Sequence, residues 1–437
     1  MTEIWANWAG DQRCAPTSIE RPVSEDELAR IVVQAARRGQ NVRAVGAGHS
    51  FTDIACTDGV LVDTTAMAQL LDADLPSLRV TVGSGITLHR LGPLLAERGL
   101  ALENQGDIDA QSLAGALATA THGTGSRFPN ISARVVGVRL VTASGEVVQL
   151  TSESDPEGLL AARVSLGSLG IVSAVTLQCV PLYTLHRHDR PLALDDVLSR
   201  LDEHVDGNDH FEFFVFPYTR TALTRSMRRS QEEPLPAPKW RRWFNERVVE
   251  NGALGLVCRT GRFWRAGVPA LNRLMSSAMS ESTLQDRAYR VYATPRHVRF
   301  TEMEYAIPRE RARETIERVL GLVARRRWPI LFPLEVRFGA GDDAYLSTAH
   351  GRETCYIAVH QYTGMEFESY FRAVEAIMDE YDGRPHWGKR HYQTAATLRE
   401  RYPQWDRFQE VRARLDPGEV FSNDYSRRVL GPAHGDA

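Results

Sequence analysis

Four short stretches of this chain carry residue types that do chemistry. The first is Gly46-Ala47-Gly48-His49-Ser50, which follows the short apolar run ending at Val45. Glycines let a backbone come close to a large anionic ligand. The turn then delivers an imidazole that can touch the ligand's ring system or bond to it. The second is Thr121-His122-Gly123-Thr124-Gly125, another loop of small residues. Like Gly83-Ser84-Gly85, it offers backbone N–H groups and hydroxyls of the kind that hold a pyrophosphate. Two such loops in the N-terminal half suggest a dinucleotide between them, held otherwise than by a G-x-G-x-x-G turn. Short glycine turns are common, so each loop alone is weak evidence. A His49 that caps its own turn and a His122 that ties backbone together are the plain structural alternatives.

The third stretch is Glu335-Val336-Arg337. Residues two apart on a strand face the same side, so a carboxylate and a guanidinium project together between apolar neighbours. A cross-strand salt bridge is the simpler reading in isolation. The fourth is His386-Trp387-Gly388-Lys389-Arg390-His391, a poor helix and a reasonable pocket wall. A lysine held near Arg337 would have a lowered pKa, because a like charge disfavours its ammonium form, and would serve as a base or strong donor. His360 ends an apolar strand and can face the same cavity. Ser112, Gly115 and Thr119 fall in a run of small residues able to lie flat against something planar.

These residues need a scaffold. Ser24 and Glu27 form a capping box ahead of an apolar helical face at Leu28, Ile31, Val32 and Ala35, and Gly39 ends that helix. Short strands are expected at 42–45, 59–63, 79–82 and 171–180, with a hairpin turning at Ser144-Gly145. From about residue 181 the texture changes. Aromatic and apolar strands at 211–216, 301–307, 331–338 and 354–360 alternate with amphipathic helices at 308–325 and 366–381, as in a sheet covered by helices on one face. Residues 225–243 read as a long surface excursion. The basic and aromatic run from Lys239 (239–247) is the one place where membrane contact suggests itself, though a loop packed on the surface is the favoured reading.

With 437 residues, two or three domains are expected, and a net charge of -3 gives no reason to expect a nucleic-acid partner. Five scattered cysteines without a C-x-x-C pair argue against a disulfide framework or a cysteine metal site. No H-E-x-x-H spacing exists, so no metal is expected. The N-terminus has no signal-peptide pattern and no run approaches the ~20 apolar residues of a membrane span, so a cytoplasmic protein, at most peripheral to a membrane, is expected.

Taken together and in this order, the Gly-x-Gly-His-Ser turn, the Thr-His-Gly-Thr-Gly loop, the Glu-x-Arg pair and the His-Trp-Gly-Lys run resemble the sugar-1,4-lactone oxidoreductases of the vanillyl-alcohol-oxidase-type flavoproteins. The bacterial L-gulono-1,4-lactone dehydrogenases look most similar, and the likeness runs over nearly the whole chain. The resemblance implies an α+β protein. It would have a two-subdomain PCMH-type FAD-binding domain at 1–182, an α+β cap with a mainly antiparallel sheet at 183–415, and a segment at 416–437 that returns to the FAD domain and touches the flavin. It implies FAD contacts at Gly46, Ala47, Gly48, His49, Ser50, Gly83, Ser84, Gly85, Ser112, Gly115, Thr119, His122, Gly123, Thr124, Gly125, Ile171 and Asn423, with a covalent bond from His49 to the flavin. Catalysis would fall to Glu335, Arg337, Lys389 and His360. The substrate would be an L-gulono-, L-galactono- or D-arabinono-1,4-lactone oxidised at C2 to an ascorbate-type product. The electron acceptor would be a redox protein or oxygen. An alditol or other polyol oxidase on the same scaffold is the alternative.

Overall fold

The computed structural model describes residues 3–236, 238, 252–294 and 298–433. The run from Lys239, including its expected membrane patch, lies outside them. Near the N-terminus, Ser24 caps helix Glu25–Arg37 by accepting the Glu27 N–H, while the Glu27 carboxylate accepts from Val23. Leu28, Val32 and Ala35 are buried on one face, and Gly39 ends the helix at φ +66°. That face shares a core with Val42, Val60 and Val62 of a three-stranded parallel sheet ordered Ser18–Glu20, Val60–Asp63, Val42–Val45. The last of these strands runs straight into the turn that carries His49. A second sheet of five antiparallel strands follows, ordered Val147–Thr151, Val135–Val141, Ile171–Gln178, Arg79–Gly83, Leu70–Asp74. Its hairpin turns at Ser144-Gly145, where the glycine adopts φ +83°.

The second half is built on eight antiparallel strands in the order Ser282–Arg287, Thr184–Ala193, Thr221–Ser230, His210–Val215, Leu334–Gly339, Thr354–Tyr362, Phe300–Pro308, Arg384–Pro385. The protein is therefore α+β, as expected. Strand alternation divides this sheet into two chemistries. Phe211, Phe213, Met303, Tyr305, Val336 and Ile357 turn to one face and pack under helices Ala312–Arg326 and Glu368–Asp379. Glu302, Glu335, Arg337 and His360 turn to the other and line a cavity, and Glu212 stands beside Arg337 on the neighbouring strand.

Two expectations about organisation are revised. Residues 225–230 belong to strand Thr221–Ser230 rather than a loop, because that strand lies between two others and Arg225 is neutralised by Asp189 and Glu212. Helices Ala395–Arg399 and Trp405–Leu415, expected in the cap, instead bury Leu398, Trp405, Phe408 and Val411 in the core of the first half. Trp387 is fully buried there as well, its indole N–H donating to Leu346 O at 2.7 Å. The chain thus begins its return well before residue 416. Among the described residues, no helix is long and apolar enough to cross a membrane.

Candidate active site

Two cavities meet at the His49 turn. The narrower is a cleft of about 910 Å³ lined by residues 43–50, Ser112, Gly115, Thr119, Gly167, Gly170 and Val172 among others. The N–H groups of Ala47, Gly48, His49 and Ser50 donate to no other described residue, which leaves a row of donors suited to an anion. Buried Arg43 draws the borders of the cleft together, donating to the carbonyls of Ile54, Leu166, Gly167 and Phe421. Burial lowers its pKa to about 10. The His49 turn is clamped from above by the N-terminal residues. Trp8 stacks on the imidazole with ring centres 5.4 Å apart, Trp8 N–H donates to Gly48 O, and Asn7 donates to Ser50 O. Burial lowers the pKa of His49, so its ring is neutral near pH 7.

The wider cavity, about 2490 Å³ with its mouth, shares His49, Ser50, Gln111 and Thr119 with the cleft. Its polar end is a relay of buried charges set by strand register. Glu212 pairs across strands with Arg337, Glu335 with Ala358, and Glu302 with His360. Arg337 donates to Glu212 at 2.8 Å, pairs with Glu335, and lies 3.3 Å from Asp107. Burial works against its charge, but these three carboxylates hold its pKa well above the usual value. At Glu335, burial, with Asp107 and Glu212 beside it, outweighs Arg337 and pushes the carboxyl up to about 7.

Lys389 sits differently from expectation. Its ammonium donates to Glu302 at 2.5 Å and to Glu304 at 2.9 Å. Burial would lower its pKa, yet the two carboxylates, with Glu335, raise it. In turn, burial opposes ionisation of Glu302, but Lys389 and His360 hold its carboxyl down at about 2. Lys389 is therefore a fixed cation and not a base. His360 bridges the two groups, with Nε2 3.2 Å from Glu302 and 3.9 Å from Glu335. His122 stacks on Tyr356 and bonds Glu304 at 2.7 Å, closing the relay on the side of the first half.

A family model for an FAD binding domain matches residues 16–151, and one for D-arabinono-1,4-lactone oxidase matches residues 175–429. The chain is 66% identical to L-gulono-1,4-lactone dehydrogenase of Mycobacterium tuberculosis, over 99% of this chain and all of the relative. It is 32% identical to L-gulonolactone oxidase of Mus musculus over 97% of both chains, and 32% identical to an alditol oxidase of Streptomyces over 98% of this chain and all of that one. A solved solvent-stable cholesterol oxidase superposes with a TM-score of 0.84 at 18% identity, over 99% of this chain and 98% of that one, a likeness of fold alone. The chain belongs to the FAD-dependent sugar-lactone oxidoreductases.

The residues of this lactone oxidoreductase fit the cofactor: a nest of unpaired backbone donors, a glycine turn against Ser112, and a neutral histidine where cleft and cavity join. Gly46, Ala47, Gly48, His49, Ser50, Ser112, Gly115 and Thr119 all line the cleft. Several expected contacts do not. The N–H groups of Gly83, Ser84 and Gly85 are consumed by Gln69, Ser173 and Met67 carbonyls, so that turn is tied to neighbouring backbone instead of offering donors to a ligand. Gly123, Thr124 and Gly125 lie outside both cavities. Thr124 Oγ1 donates to Phe211 O and Gly125 N–H to Phe338 O, which welds the loop to the large sheet. The Ile171 side chain is in a core, while its neighbours Gly170 and Val172 line the cleft. Asn423 is spent capping helix Asp424–Leu430 and holding the carbonyls of Asp53, Ile54 and Cys56. The returning segment thus shapes the cleft wall from behind and does not line it. Ser112 lines only the narrow cleft, in keeping with its expected place beside the cofactor.

Sequence reasoning missed Asp107, Glu212, Glu302 and Glu304. A signal was present in Thr301-Glu302-Met303-Glu304-Tyr305, two carboxylates with the same two-residue spacing as Glu335 and Arg337. Gly46 supplies a direct test of the cleft. A Cβ there would overlap Ser112 Oγ and lie 2.5 Å from Ser112 Cβ. Gly46→Ala should therefore weaken FAD retention by about 5- to 150-fold, an overpacking cost of about 1–3 kcal/mol. Gly46→Ala/Ser112→Gly, which removes the obstruction, should restore it. Flavin content after dialysis measures both, and an unaffected single variant would take Gly46 out of the cofactor site.

Proposed function

We propose that this protein oxidises an aldono-1,4-lactone of the L-gulono, L-galactono or D-arabinono type at C2, giving a 2-keto lactone that enolises to an ascorbate-type product. The observation that carries the reading is the junction itself: a cofactor cleft that shares His49 with a cavity lined by Arg337, Glu335, His360 and Lys389. Bound FAD would supply the hydride acceptor. Arg337 stays cationic and stabilises negative charge developing on the substrate oxygen. Glu335, poised near neutrality, accepts the hydroxyl proton, the part that Lys389 cannot play. Lys389 and His360 donate to or orient the sugar hydroxyls. Residues 1–182 form the FAD-binding part and 183 to about 386 the cap, with 387–433 returning. The acceptor of the second half-reaction is a redox protein or oxygen.

Anaerobic stopped-flow reduction by L-gulono-1,4-lactone should be fast and by xylitol slow. The reverse order would make the protein a polyol oxidase, the reading that the Streptomyces relative favours. Lactone-driven reduction should rise with pH to a plateau above about 7, as the Glu335 carboxylate forms. Glu335→Gln should abolish that limb, and a limb that survives in the variant would assign the proton to another group.

We infer in addition that His49 bonds the flavin through its 8α-methyl carbon, since its imidazole is neutral, clamped by Trp8 and placed at the junction. The yellow colour should then follow the polypeptide through acid precipitation, and be released from His49→Ala.

A further inference from the structure

All five cysteines are free, and Cys179, Cys258 and Cys355 are buried. Cys14 and Cys56 are partly exposed, and they lie together. Register brings them there. Ser18 pairs in parallel with Val60, Ile19 with Leu61 and Glu20 with Val62. Just before that ladder, the Thr17 N–H donates to Gly59 O at 2.7 Å and Thr17 Oγ1 donates to Asp58 O at 2.9 Å. Carried back along both segments, the same register sets Cys14 level with Cys56. The two thiols are within hydrogen-bonding reach of each other. Each residue is also held by its backbone. Cys14 pairs with Trp5 on the antiparallel strand beside it. The Cys56 N–H donates to Asp53 O, and its carbonyl accepts from Asn423 Nδ2, both at 2.9 Å. Neighbouring thiols on two tethered segments can close to a disulfide with little backbone movement.

We propose that Cys14 and Cys56 form an oxidation site, closed by hydrogen peroxide to a disulfide that locks the N-terminal strap over the cofactor cleft. The strap is residues 5–14. Its Trp5 lines the cleft and its Trp8 stacks on His49, while Ile54 and Ala55, beside Cys56, line the same cleft. With both thiols free, side-chain hydrogen bonds from Asn7 to Ser50 O and from Gln12 to Phe51 O tie the strap down, together with the Asp11–Arg390 ion pair. Burial, with the Cys14 thiol and Asp53 beside it, pushes the Cys56 thiol up to about 12. Cys56 therefore stays protonated, and Cys14 is the sulfur that meets the peroxide. The Cys14 thiolate attacks one peroxide oxygen and the O–O bond breaks, which gives a sulfenic acid and, with the thiol's proton, one water. The Cys56 sulfur then attacks the Cys14 sulfur. The S–S bond forms, the S–O bond breaks, and hydroxide leaves with the Cys56 proton as a second water. Two thiols lose two electrons and one peroxide gains them. The bond forms whatever the protein oxidises, whereas its effect on cofactor retention rests on the cleft holding FAD.

The reduced holoenzyme is treated with hydrogen peroxide, its remaining thiols are alkylated, and its peptides are mapped by mass without reductant. Cys14 and Cys56 should be found joined, and dithiothreitol should restore both thiols. Cys14→Ser should form no cross-link. On oxidation, backbone amide exchange over residues 5–14 should slow. His49→Ala, whose cofactor is free to leave, should lose FAD on dialysis several-fold more slowly once oxidised. Cys14→Ser/His49→Ala should lose it at one rate with and without peroxide. Three results overturn the proposal: thiols that stay free or pass to sulfinic acid without a cross-link; a cross-link of Cys14 to another cysteine; or a Cys14–Cys56 bond that leaves amide exchange of the strap unchanged. Slowed exchange with unchanged FAD loss would leave the lock standing and take the cofactor from beneath it.

Discussion

Replacing Arg337 with alanine should slow lactone-driven reduction of the bound cofactor by about 10²–10³-fold, the loss seen when a preorganised donor to developing charge is removed. FAD itself should stay bound, since Arg337 lines the wide cavity and not the cleft. The effect is large because one planar group serves three carboxylates at once: Nε reaches Glu212, while an Nη pairs with Glu335 and faces Asp107. Arg337→Lys supplies a charge without the fork, and should recover only part of the rate. The variant should nonetheless fold. Glu335 titrates near 7 with Arg337 present, and rises further without it, so it becomes neutral and does not remain as an unpaired buried anion. Anaerobic stopped-flow at several lactone concentrations separates rate from affinity. A limiting rate equal to that of the parent would remove Arg337 from the chemistry and leave it a structural ion-pair partner.

The reach and the limits of the sequence have physical causes. The His49 turn was legible because strand, glycine spacing and histidine are contiguous. Glu335 and Arg337 were legible because a strand's two-residue period fixes which side chains share a face. Lys389 shows where such reasoning stops. Its position in the chain says nothing of Glu302 and Glu304, which lie more than eighty residues earlier and reach it through sheet register, and their presence reverses the direction of its pKa shift. The pyrophosphate role assigned to Gly83-Ser84-Gly85 failed for a related reason. Whether a backbone N–H is available to a ligand depends on long-range partners, here Gln69, Met67 and Ser173. Asn423 failed because a polar side chain near a cleft serves equally well as a clasp between segments.

Removing the charge of Lys389 should be more damaging to the fold than removing Arg337. Glu302 is held at about 2 against its usual 4.5, a difference worth about 3 kcal/mol of stability at neutral pH. The sign follows from a depressed folded-state value: the contribution is complete above pH 4.5 and is lost as the pH falls towards 2. Glu304, also pulled below its usual range against the effect of burial, depends on the same ammonium together with His122. Lys389→Met therefore strands two buried carboxylates. It should cost about 3–5 kcal/mol, a large share of the ~5–15 kcal/mol that holds a domain together. The remedy distinguishes a stranded charge from lost packing. If the loss is electrostatic, Lys389→Met/Glu302→Gln/Glu304→Gln should recover most of the stability, because neutral amides carry no unpaired charge in the same volume. Urea unfolding of the holoprotein at pH 7 measures all three states. A triple variant no more stable than Lys389→Met would mean that the lysine's stem, not its charge, supports the junction.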